Sequence, residues 1–260
     1  MKSGEMRITS YRLGIFQKTT ALLMALSIGG CQKVEDQAFE MRLKAYLREH
    51  PEVVQEAALK LRQNRALASR QALTKARQQL EADPRDFVAN PGGHVTVVQF
   101  FDNRCVYCSA AAPDVLALVA QSPDVRFVFK QYPIFGSTSD YAARVALTPQ
   151  GKSKGLELYR AFLAQKDLTP ARIDALIAKA GLDVAAVQLA ATDPAIDEQI
   201  RDTRALAQAI DVRGAPAFVV GDQIIQGADT ERLRAAITRA RSLSLSSMGA
   251  DLTLRPATGY

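Results

Sequence analysis

The chain has 260 residues, 48% of them apolar and 23% charged, with no Trp and a formal net charge of +6. That length allows one or two domains with a real core. Residues 1–30 hold Lys2, Arg7, Arg12 and Lys18 against Glu5, a net of +3, so half of the excess charge is local. No cluster of cations interleaved with aromatics remains, which argues against nucleic acid as a partner.

The first element is a leader. Its basic region ends at Lys18, and the apolar run from Thr19 to Gly30 is too short to span a membrane. IGGC (Ile28 to Cys31) resembles a bacterial lipobox, whose small residues let a signal peptidase cut before a lipidated cysteine. The expectation is a signal peptide over 1–30 and a lipid on Cys31. Gln32, where an inner-membrane lipoprotein usually carries Asp, directs such a chain to the outer membrane, facing the periplasm. The rival is an ordinary secretory leader with an odd thiol. Either context lies outside the cytoplasm, where disulfides persist.

Residues 31–90 follow as a helical arm. No Gly occurs from Cys31 to Pro91, and Ala, Leu, Gln, Glu and Arg dominate. Pro51 marks a break and the start of a second helix. Leu59, Ala66, Leu73 and Leu80 recur every seven residues, a stripe too narrow to build a core alone. It suits a second copy of itself, which gives a possible homo-oligomer through residues 39–82. A solvated helix lying on its own domain is the alternative. Asp83-Pro84 and the NPGG turn (Asn90 to Gly93) close the arm.

The remainder, 91–243, reads as one mixed sheet covered by helices. HVTVVQFF (His94 to Phe101) is a buried strand, followed by a helix to about Ala120. VRFVFKQYP (Val125 to Pro133) is a second strand. A helical insertion runs from about 137 to 210, with Thr169-Pro170 and Asp193-Pro194 as helix starts. AFVV-GD-QIIQG (Ala217 to Gly227) is a hairpin. Thr230 can cap a closing helix, and 244–260 form a tail without pattern.

The chemistry sits in QFFDNRCVYC (Gln99 to Cys108). Cys105 opens a helix after a strand, and Cys108 lies one turn on, within disulfide reach. Unsatisfied backbone N–H groups and the helix dipole favour a thiolate at Cys105. The pair closes a loop so short that a disulfide there contributes only about 2 kcal/mol. A redox centre is therefore preferred over an inert staple. A metal clip is weaker still, because with Cys31 lipidated the mature chain has only His50 and His94 as further soft or borderline donors.

FFDNRCVYC, VRFVFKQYPIFG and VRGAPAFVVGDQIIQGA resemble the DsbA-type branch of the thioredoxin superfamily over about Val95 to Arg241. The arm is similar to the N-terminal segments of its Com1- and ScsC-like members. The resemblance implies an α/β, thioredoxin-like fold with a helical insertion after an N-terminal α-helical arm. It implies catalysis by Cys105 and Cys108 through a redox-active disulfide, with no other cofactor and no metal. Pro216, preceded by Ala215, is then cis and faces the substrate. Lys130 matches a lysine that tunes a buried proton path. Tyr107 is shared with C-P-Y-C sites, whereas Val106 replaces the Pro. Gln99 stands where many relatives keep a buried acid, and Gln cannot accept that acid's proton. Ala215 lacks the hydroxyl of a Thr. The implied partners are folding secreted proteins and a membrane redox partner. Oxidation is the direction favoured over isomerisation or reduction, and a non-catalytic binding module is the rival from another class.

Overall fold

The computed structural model describes residues 36–253, with side chains up to 244. The leader and Cys31 lie outside the described residues. The chain divides into two compact units, residues 1–65 and 66–260.

In the first unit, residues 36–49 form helix α1, and α2 (Pro51–Glu81) begins at the proline expected to start it. Phe39, Met41, Tyr46, Val54, Leu59 and Leu61 are exposed, and none of the described residues here is buried. Helix propensity rather than packing specifies this segment.

The second unit is built on one sheet. Strands β1 (Phe87–Ala89), β2 (Val95–Phe101), β3 (Val125–Gln131), β4 (Ala217–Val220) and β5 (Gln223–Gln226) lie in the order β1-β3-β2-β4-β5. β2 and β3 are parallel, and the outer pairings are antiparallel. The parallel pair requires a crossover, supplied by α3 (Val106–Gln121). The insertion folds as α4 (Ser137–Leu147), α5 (Pro149–Ser153), α6 (Gly155–Leu163), α7 (Pro170–Lys179), α8 (Val184–Ala190) and α9 (Pro194–Ala209). Thr169 and Asp193 cap α7 and α9, as their sequence predicts. The β4–β5 turn is Gly221-Asp222, with Gly221 at φ 60, a conformation that glycine adopts without strain. This is the thioredoxin-like α/β arrangement, with helices inserted between β3 and β4.

Strand alternation divides the core in two. Val97, Phe101, Phe127, Phe129 and Phe218 face α3 and α10 (Thr230–Thr253), meeting Cys108, Val115, Leu233 and Ile237. Val98, Phe100, Val128 and Val219 face the other way, onto Leu73 and Leu80 of α2 and Leu206, Ala207 and Ile210.

Three boundaries differ from the sequence reading. The arm expected over 31–90 is shorter: residues 66–81 belong to the second unit and Phe87–Ala89 is a strand. Three residues between Asp86 and Asn90 are too short a run for alternation to register. The heptad stripe is split. Leu73 and Leu80 are buried in their own domain, each contributing about 1.5–3 kcal/mol, whereas Leu59 is exposed. The lower half of the stripe is therefore not open to a second copy. The closing helix reaches Thr253, into the segment read as tail, and Asp229 caps it while the Thr230 hydroxyl donates to Asp114.

Candidate active site

β2 ends at Phe101, and the turn Asp102–Arg104 delivers Cys105 to the N-cap of α3. Cys105 Sγ accepts the Cys108 N–H at 3.3 Å, and its thiol donates to the Ala215 carbonyl at 3.1 Å. A sulfur thus takes the place of a capping hydroxyl, at the end of the helix where negative charge is favoured. A hydrogen bond from the Cys108 thiol, with the Cys108 and Tyr107 N–H groups, draws Cys105 down to about 7 against the cost of burial. Burial pushes the Cys108 thiol strongly up, and the Cys105 partnership adds to it. The two sulfurs therefore differ in kind: one is poised to ionise and the other is held neutral. Both are thiols in this structure.

Cys105 is only 1% exposed, while Val106 beside it is 77% exposed and Tyr107 also projects into solvent. Ile134 and Phe135, in the loop after β3, are exposed as well, and the Arg104 guanidinium donates to the Phe135 carbonyl at 2.9 Å. The Ala215–Pro216 peptide is cis, as the resemblance implied. The Ala215 carbonyl is the group that meets Cys105, and the Pro216 carbonyl accepts from Gly227 N–H at 2.8 Å.

Asp102 is a residue that sequence reasoning missed. Fully buried, its carboxylate accepts from the N–H of Arg104 (2.7 Å), Ile134 (2.7 Å) and Phe135 (3.1 Å) and from the Ser139 hydroxyl (2.8 Å). Its carbonyl accepts from Cys105 N–H at 3.1 Å. One side chain thus ties the redox turn to the apolar loop beside it. An Asp closing a strand just before a helix is a legible turn signal, but the partners 32 to 37 residues away are not.

Gln99 lies on the α3 face of β2, 1% exposed, with its amide against the Tyr159 hydroxyl of α6. Lys130 does not join it. The residues before and after Lys130 pack towards α3, so Lys130 itself turns to the opposite face. There its ammonium pairs with Asp86 and donates to the Gln79 carbonyl, while Gln199 donates to Asp86 at 3.1 Å. Arg126, on the same side, donates to the Glu81 carbonyl. The last turn of α2 carries no basic residue of its own. Two cations from β3 satisfy its orphan carbonyls instead. The expectation of a proton path through Lys130 is corrected accordingly: the sheet separates it from the thiols. Among the described residues no three His, Cys, Asp or Glu come together as a metal site needs.

The DSBA-like thioredoxin domain family matches residues 96–237, and the N-terminal domain of the copper resistance protein ScsC matches residues 35–68. A thioredoxin-like oxidoreductase from Silicibacter pomeroyi is 36% identical, with a TM-score of 0.61 over 64% of this chain and 98% of its own. BcfH of Salmonella enterica Typhimurium is 31% identical, with a TM-score of 0.61 over 84% of this chain and 99% of its own. The thiol-disulfide exchange protein α-DsbA2 from Wolbachia pipientis is 25% identical, with a TM-score of 0.62 over 68% and 97%. The chain spans 25% and 66% of the lengths of two curated relatives, at 29% and 26% identity.

Proposed function

The chain belongs to the DSBA-like thioredoxin domain family, and from that premise we propose that it is an extracytoplasmic thiol:disulfide oxidoreductase acting on protein thiols and disulfides. The observation that carries the reading is the unequal pair: Cys105 capping a helix and drawn down to about 7, Cys108 buried and pushed up. Ionised Cys105 attacks one sulfur of a substrate disulfide, and the other substrate sulfur leaves with the electron pair. Cys108 then loses its proton to solvent and attacks Cys105 Sγ. The Cys105–substrate bond breaks, and the protein leaves as a disulfide, two electrons poorer. The reverse sequence oxidises a dithiol.

A thiol drawn from 9.0 only to about 7 is half ionised at neutral pH, which stabilises the reduced form by only about 10 mV. That moves the balance from the oxidase favoured on sequence towards exchange in both directions, as an isomerase or reductase needs. Val106, Tyr107, Ile134 and Phe135 offer an apolar rim for unfolded chain. Partners are folding secreted proteins, with a membrane redox partner that resets the pair. Residues 36–67, which expose Phe39, Met41, Leu59 and Leu67, supply an apolar surface for a homo-oligomer. Cys31 carries the lipid that holds the protein to the outer membrane, facing the periplasm.

The test is the iodoacetamide rate of Cys105 against pH, alongside insulin reduction and reactivation of a scrambled protein. Because the thiol is drawn down, the rate rises with pH through a midpoint near 7 and levels off well below the ordinary 9.0. Activity in neither assay, with Cys105 alkylating no faster than free cysteine, would leave a non-catalytic binding module as the better description.

A further inference from the structure

Charge has to develop on Cys108 in either direction of exchange, as attacking sulfur or as leaving group, and its pocket opposes charge. On the α3 face of β2 the polar side chain is the uncharged Gln99, 1% exposed. The structure puts a second polar group beside it that the sequence did not mark. Tyr159, from the helical insertion, is 4% exposed, and its ring is fixed edge-on by Phe101 at 5.0 Å and Phe129 at 5.1 Å. Its hydroxyl lies 3.1 Å from Gln99 Nε2 and 3.2 Å from Gln99 Oε1. The proton can therefore be given to Oε1, or the oxygen can accept from Nε2 and leave its own O–H free. Tyr159 and Cys108 share one buried cluster. Burial holds the phenol well above its ordinary range, and a negative charge on Cys108 adds to that.

We infer that Tyr159 is a positioning residue for the resolving thiol: with Gln99 it forms a neutral, reorientable pair that turns donor hydrogen towards Cys108 as charge develops there. The inference rests on the redox reading above. It makes no use of proton acceptance by the pair; the Cys108 proton goes to solvent. The pair lowers the cost of charge in a pocket where water is scarce, as preorganised donors do. A tyrosine serving the core alone would need a partner for its hydroxyl but would leave thiol kinetics untouched.

The test uses the reduced full chain and dithiobis-nitrobenzoate in a stopped-flow instrument. Cys105 attacks the reagent and releases one nitrothiobenzoate. Cys108 then attacks Cys105 Sγ, closes the Cys105–Cys108 bond and releases the second. The two absorbance phases read the two sulfurs separately. Tyr159→Phe is expected to slow the second phase about tenfold and leave the first unchanged. Gln99→Met is expected to do the same, and the double variant to be no slower than either single one. An unchanged second phase in Tyr159→Phe, equal slowing of both phases, or single effects that multiply would overturn the inference. Should Tyr159→Phe fail to fold, Gln99→Met decides alone: an unchanged second phase overturns it. A first phase no faster than free cysteine in the unaltered protein would instead overturn the redox reading, and this inference with it.

Discussion

The two faces of the central sheet solve opposite problems with the same backbone. On the α3 face, β2 and β3 present Val95, Val97, Gln99, Phe101, Val125, Phe127, Phe129 and Gln131, none of them charged. On the other face the same strands carry Arg126 and Lys130. The charges there close the end of α2, and Lys130 and Asp86 are each nearly inaccessible at the side chain. The redox face of the strands keeps Gln99 and Tyr159 neutral, and the charge that both thiols feel is the Asp102 carboxylate, held in the turn by four hydrogen bonds and opposing their ionisation. A cation or carboxylate belongs where it holds an architecture. On β2 and β3 themselves no side chain facing α3 carries a charge, because at low dielectric a fixed charge there would weigh heavily on the sulfurs.

The largest way to break this contrast is Lys130→Met. It strands a buried carboxylate, and the expected loss is about 3–5 kcal/mol in denaturant unfolding. Burial already pushes Asp86 up to about 6, and losing its cation pushes it further. The orphan is neutral when protonated, so the loss is greatest at alkaline pH, shrinks as the pH falls towards 6, and changes no further below 6, where Asp86 is protonated in both proteins. Cys105 alkylation should keep its rate and midpoint, because the sheet lies between. A shifted midpoint would mean that the two faces are electrostatically one site.

Gln99→Glu puts an acid on the neutral face. A cost of about 1–3 kcal/mol is expected from burying the carboxyl. In return the second nitrothiobenzoate release should accelerate, because the introduced carboxylate takes the proton that Gln99 leaves to solvent. Identical kinetic traces would remove position 99 from the mechanism. The smallest effect is Leu59→Ser, on the exposed half of the heptad stripe. Unfolding should change by no more than about 0.5 kcal/mol, while the sedimentation mass falls if copies meet there. A loss of stability of the size expected for buried Leu73 would show that the upper stripe is covered within its own chain.

The placement of Cys105 and Cys108 at a strand-to-helix turn is legible in the sequence because every signal is local: a buried strand, a turn and a helix start lie close together. The caps at Thr169 and Asp193 and the Gly221-Asp222 hairpin are legible for the same reason. Lys130 misleads because neighbours along a strand point to opposite faces. Which face it joins depends on the register with β2 and on α2 arriving behind it. Asp102 and Tyr159 escaped notice because their partners lie 32 to 60 residues away.

The sequence by itself determined the chemistry, since a thiol at a helix start is set by a few adjacent residues and the dipole they build. The tertiary structure alone decided what surrounds that thiol. Long-range packing chose the uncharged face for the sulfurs, sent Lys130 to cap a helix, and drew Leu73 and Leu80 out of the arm and into the core. Burial, and with it the energy of every buried proton and charge, is a property of the assembled sheet and helices rather than of any single stretch of chain.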